Sequence, residues 1–153
     1  MASILENRLQ KAEFSGFRLE KTVKLMKLTL SRLLSQHPEL DTTVDQWVIM
    51  YLLEKYSVLS QQEIGDYAFK DAPTITRMID LMESKSLVVR IPDITDKRRL
   101  MIQLTPTGKN KFHLMQPIVN AFREEAYVGL SDEQINVLDS TLNIIFNNLS
   151  KIN

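Results

Sequence analysis

Apolar and polar positions follow two different periods along this chain, and the change between them organises the reading. From residue 5 to 36 apolar residues recur at helical spacing without a proline, which predicts one long helix with Leu25, Leu28 and Leu33 on its apolar face and Gly16 as a place to bend. The stretch "HPELDTT" (37–43) breaks it. Thr43 and Gln46 then have the spacing of a capping box, opening a helix to about Tyr56 that carries Trp47, Met50, Tyr51 and Leu53. Ser60 and Glu63 repeat the signal for a short helix over 61–68, and "FKDAP" (69–73) turns the chain. The next helix runs from Pro73 to about Ser84. Ile75, Met78, Ile79 and Met82 make one stripe, and Pro73, Thr76, Arg77, Asp80 and Ser84 lie opposite. Two short helices joined by a tight turn form a candidate helix-turn-helix.

At residue 87 the period drops to two. "LVVRI" (87–91) is β-branched, and Leu100, Ile102 and Leu104 alternate with Met101 and Gln103. Pro92 cannot continue a central ladder, so the pair predicts a two-stranded hairpin with its loop over 92–98 and Lys97, Arg98 and Arg99 at the tip. Thr105-Pro106 reads as a cap followed by proline at the first helical position. Helical spacing returns to the end of the chain. Phe112, Met115, Val119, Phe122 and Ala126 step by three and four in a helix to about Val128. After Gly129, a Ser131–Gln134 box opens a helix in which Ile135, Leu138, Leu142, Ile145 and Leu149 do the same. Such seams suit helix pairing, within one chain or between two copies.

Composition narrows the function. The 153 residues fit one compact unit, with 44% apolar and 25% charged residues, and four glycines and five prolines favour a mostly helical chain. No cysteine is present, which removes disulfides, thiolate catalysis, Cys-based zinc sites and thiol redox sensing. His37 and His113 belong to no ligand cluster, and Gly16, Gly65, Gly108 and Gly129 form no phosphate loop, so the expectation is no enzyme, no metal and no cofactor. The N-terminus "MASILENRLQ" lacks the apolar core of a secretory signal, and the longest apolar run, "WVIMYLL" (47–53), is far too short to span a membrane. A cytoplasmic protein without membrane partners is expected. Net charge is zero, yet residues 70–111 hold nine bases against five acids, a surplus balanced by acids elsewhere.

The order of helices, turn, helix, hairpin and helices is that of a winged helix. A basic loop on a short hairpin then serves as a probe for phosphate and the narrow groove. The segment "DAPTITRMIDLMESKSLVVRIPDITDKRRLMIQLTPTG" (71–108) resembles the signature region of the MarR family of bacterial transcriptional regulators. That family shows a recognition helix of Thr-x-x-Arg character, a D-x-R-D-x-R wing and L-T-x-x-G. Here stand Asp93, Asp96 and Arg98, then Leu104-Thr105 and Gly108, with Thr95 where the family usually has arginine and one wing salt bridge therefore lost.

The resemblance implies a mainly α fold with a β-hairpin wing. It divides the chain into a winged helix-turn-helix DNA-binding domain (38–105) and a helical dimerisation region (1–37 and 106–153). It implies a homodimer on a pseudo-palindromic operator in double-stranded DNA, most simply a ligand-responsive repressor. Arg98 would enter the minor groove, braced by Asp96, while Thr76 and Arg77 read or flank bases. Candidate DNA-binding residues are Lys70, Pro73, Thr74, Thr76, Arg77, Lys97, Arg98 and Arg99, with Asp93 and Asp96 supporting the wing. Many relatives bind a small lipophilic or phenolic effector, for which Trp47, Met50 and Tyr51 are candidate pocket residues, ordinary core being the competing reading. The alternative function is a winged-helix module that binds protein. It requires an apolar exposed helix face or a neutral wing, and the sequence offers Thr76, Arg77 and a basic wing instead.

Overall fold

The computed structural model describes residues 3–152, the side chain of Phe14 excepted. Residues 1, 2 and 153 of the expected dimerisation region lie outside the described residues. The chain forms two compact units, Met1–Asn120 and Ala121–Asn153.

In the first unit, α1 (Ile4–Ser35) opens on a Ser3–Glu6 capping box and stays helical through Gly16. Its burial differs from the expected face. Leu30 and Leu34 are buried, whereas Leu25 and Leu28 remain exposed, because only the C-terminal end of the helix meets the rest of the unit. A 3-10 turn (Pro38–Leu40) follows, then α2 (Val44–Tyr56), capped by Thr43 and Gln46 as the spacing predicts. Trp47 stacks between Tyr51 and Phe112, with ring centroids at 5.5 and 6.3 Å.

The sheet has three strands, which corrects the expected two. β1 (Val58–Ser60) pairs antiparallel with β3 (Leu100–Leu104), which pairs on its other side with β2 (Val88–Pro92), so β3 is central. Three residues are too few for a visible alternation, and β1 runs straight into the Ser60–Glu63 box that opens α3 (Gln61–Ala68). β2 ends on Pro92, opposite Leu100, where an edge strand tolerates a missing N–H. The wing loop is therefore 93–99. The second helix of the motif, α4 (Ala72–Ser84), starts one residue before the expected Pro73, with Asp71 as its cap.

Two glycines are fixed by close approach. A Cβ on Gly65 would lie 3.0 Å from the Lys70 carbonyl, so the helix-turn-helix corner needs the bare backbone. A Cβ on Gly108 would fall 2.0 Å from the Leu87 carbonyl, where α5 (Pro106–Ala126) starts against the root of β2. Thr105 holds the same junction. Its Oγ1 accepts from the Gly108 amide at 2.9 Å and donates to the Ser86 carbonyl at 2.5 Å. The L-T-x-x-G motif is thus a structural joint between strand and helix.

α5 continues through Pro117, which removes one helical hydrogen bond. Phe112, Met115 and Val119 are buried with Ile49, Met50 and Leu53 in the core of the first unit. The helix ends at Ala126, two residues before the expected end, in a turn containing Gly129 at φ +83°. In the second unit, α6 (Asp132–Ser150) opens on the expected Ser131–Gln134 box. It has no buried residue: Leu138, Leu142 and Ile145 of its apolar seam are all exposed. No helix among the described residues is long and apolar enough to cross a membrane.

Candidate nucleic-acid interface

α4 is seated by its apolar stripe. Ile75, Ile79 and Met82 are wholly buried and Met78 half-buried, which turns Pro73, Thr76, Arg77, Asp80 and Ser84 outward. The Asp71 carboxylate accepts from the Thr74 amide at 2.8 Å and from the Thr74 hydroxyl at 2.9 Å. These bonds, the backbone one first, hold the Asp71 carboxyl below its ordinary pKa. The Thr74 hydroxyl is thereby committed to the cap. Thr76 Oγ1 donates to the Ala72 carbonyl at 3.0 Å and accepts from Gln61 Nε2 at 3.0 Å, which leaves it one lone pair and a methyl to offer.

The wing is tied by its own backbone. The Asp93 amide donates to the Arg99 carbonyl (2.9 Å) and the Arg99 amide to the Asp96 carbonyl (2.8 Å). Asp93 Oδ1 accepts from both the amide and the hydroxyl of Thr95, at 2.8 and 2.9 Å. Thr95 therefore compensates locally for the arginine it replaces. The Thr95 amide is also the chief reason that the Asp93 carboxyl lies below its ordinary pKa. Asp96 Oδ1 accepts from the Arg98 amide at 3.0 Å. Asp96 thus braces the main chain of Arg98, whose exposed guanidinium makes no ion pair among the described residues. Ile94 stands at the tip almost wholly exposed, a residue that sequence reasoning passed over.

The nine bases of 70–111 fall into two groups. Lys70, expected at phosphate, pairs with Asp45 at 3.4 Å with its side chain three-quarters buried. Lys85 pairs with Asp41 at 2.8 Å, and Lys111 donates to the Leu40 carbonyl at 2.5 Å. Arg90 is held by Asp80 and Glu83. These four tie the unit together. Arg77, Lys97, Arg98, Arg99 and Lys109 are exposed and make no ion pair among the described residues. The competing reading of Arg77 as a surface partner of Asp80 or Glu83 fails, because Arg90 occupies both carboxylates. Sequence reasoning missed Arg90 and Gln61 as parts of the site, since their partners come from other elements.

The candidate pocket residues lie apart from this face. Met50 is wholly buried, Trp47 is buried in its aromatic stack, and Tyr51 is partly exposed. A cleft of about 460 Å³ between α1 and α2 is lined by Lys24, Lys27, Leu28, Ser31, Thr43, Val44 and Asp45, and by none of those three. Among the described residues no group of three His, Asp or Glu side chains could hold a metal ion.

The comparisons with known proteins converge on this arrangement. The family profile described as MarR family matches residues 42–100, which span α2, the helix-turn-helix and the wing. The HTH-type transcriptional repressor IacR of Pseudomonas putida is 24% identical over 95% of this chain and 86% of its own. The crystal structure of transcriptional regulator PA3341 has a TM-score of 0.78 at 26% identity, covering 89% of this chain and 98% of that one. A mutant MarR from E. coli complexed with operator DNA shares the fold with a TM-score of 0.75 at 21% identity, over 94% of this chain and 99% of that one. With a winged helix under the matched profile and full-length likeness to HTH-type regulators on both sides of it, residues 42–100 of this chain form a MarR-family domain.

Proposed function

We propose that this chain binds a pseudo-palindromic operator in double-stranded DNA as a homodimer, and represses until a small lipophilic or phenolic effector releases it. The observation that carries the reading is the segregation of its bases: Arg77 on the outward face of α4 and Lys97, Arg98 and Arg99 on the wing, all unpaired among the described residues. In this reading α4 enters the major groove, with Arg77 reaching base edges, and the wing meets phosphate or the adjacent minor groove. The likeness in fold to an operator-bound MarR supports that docking.

Dimerisation is supported by faces that the single chain leaves uncovered. Leu138, Leu142 and Ile145 of α6 are exposed, as are Leu5, Leu9 and Phe17 of α1. Apolar surface on this scale is characteristic of interfaces. Repression is the activity that the Pseudomonas relative is named for. An effector that disturbs the Trp47 stack would report itself, because Trp47 is the only tryptophan and its fluorescence has one source.

The test is selection of bound duplexes from a random pool. An enriched palindrome with half-sites about 10 bp apart is expected. A pool that stays unenriched at low salt would contradict DNA binding, and an unpaired single motif would contradict the dimer.

A further inference from the structure

We propose that Arg90 is a positioning residue that clamps the root of the wing to the recognition helix. The clamp fixes where Lys97, Arg98 and Arg99 stand relative to Arg77, and it rests on the DNA-binding reading above only for its consequence. The geometry is that of a planar fork used on several sides. Arg90 NH1 donates to Glu83 Oε2, and NH2 to Asp80 Oδ1 at 2.5 Å. Nε and NH2 both donate to Gln61 Oε1, at 3.3 and 3.2 Å. Gln61 in turn donates to Thr76. One side chain of the wing strand thus touches two residues of α4 and the first residue of α3, and reaches a third residue of α4 through one amide.

Arg90 sits where such a clamp is needed. β2 is an edge strand, bonded only to β3, and beyond Pro92 the hydrogen bonds of the loop among the described residues are all within the loop itself. The outward N–H of Arg90 is also taken up, by Glu83 Oε1 at 3.3 Å, so Glu83 closes the open edge as well as the ion pair. The Arg90 side chain is 18% exposed, and its charge neutralises two carboxylates that lie next to the DNA-facing side of α4. A lysine would keep the charge and lose the fork, since a point ammonium cannot serve Glu83, Asp80 and Gln61 in their different directions.

The test pairs hydrogen exchange in the free protein with operator titration. With Arg90→Lys, the amides of Asp93, Thr95, Arg98 and Arg99 are expected to exchange about tenfold faster, the size of one lost charge-assisted hydrogen bond or two weaker ones. Operator affinity should fall by a similar factor. Arg98→Ala should then cost less than about half its usual loss, because the wing is already unplaced, while Arg77→Ala should cost as much as before, α4 being held by its buried stripe. General destabilisation would not separate the two. Asp80→Asn/Glu83→Gln, which keeps Arg90 and removes its partners, should give the same faster exchange and the same shrunken Arg98 effect, although the variant is more positive. Wing exchange unchanged in both variants, or an Arg98→Ala loss that stays full in both, overturns the clamp. If the parent chain enriches no duplex, the DNA reading falls, and the clamp is decided by the exchange rates alone.

Discussion

Asp71 shows how much one side chain does at the start of the recognition helix. Its carboxylate satisfies the Thr74 amide and hydroxyl together and faces the positive end of α4. The carboxyl is depressed by those bonds, so its stabilisation is complete above the ordinary carboxylate pKa of about 4 and is lost as pH falls through the lower folded value. Asp71→Asn keeps an acceptor and removes the charge. The urea midpoint of the parent should exceed that of the variant at pH 7, and the gap should narrow as pH drops below about 4. A gap independent of pH would show that the charge contributes nothing. Asp71 was legible as part of a turn but not as the cap, because Pro73 drew the expected helix start onto itself. Arg90 was not legible at all. Its partners lie 7, 10 and 29 positions away on two other elements, and no local pattern joins them.

At the scale of elements, the proposed function has helix and wing make separable demands on DNA. Arg77→Ala should cost roughly 1–3 kcal/mol of operator binding and relax the preference at one position per half-site, as expected when a bidentate bond to a base edge is removed. Arg98→Ala should weaken binding to most sequences alike and reduce the salt slope by about one for each phosphate that is no longer neutralised. Asp96→Ala should reproduce part of that defect, since it frees the Arg98 amide and leaves the guanidinium untouched. Titration of operator variants at two salt concentrations distinguishes them. If Arg98→Ala and Asp96→Ala bind as the parent does while remaining folded, the wing is only a solvated hairpin. The elements themselves were mostly legible because their signals are short-range: the boxes at Thr43, Ser60 and Ser131 each close over three residues. β1 was not, because three residues become a strand only by pairing with β3, which lies far along the chain.

At the scale of the molecule, the exposed seam of α6 predicts a dimer that exists before DNA is added. Sedimentation at low micromolar concentration should show one species near twice the chain mass of 17.7 kDa. Leu142→Asp should dissociate or unfold it, since burying an unpaired carboxylate in a dry seam costs about 3–5 kcal/mol. A parent that sediments as a stable monomer would remove the basis for palindrome recognition. The partition of bases has a further, kinetic consequence. A chain of zero net charge gains nothing from its total in the field of a polyanion, but the three adjacent cations at 97–99 outnumber Asp93 and Asp96 on the same loop and leave the wing tip locally positive. On the proposed function, that local charge would orient the approach to the duplex, and encounters would begin wing first. With few cations engaged at once, each unproductive encounter is brief. On that reading, search would proceed by many short visits to the duplex, and raising the salt would shorten each visit further.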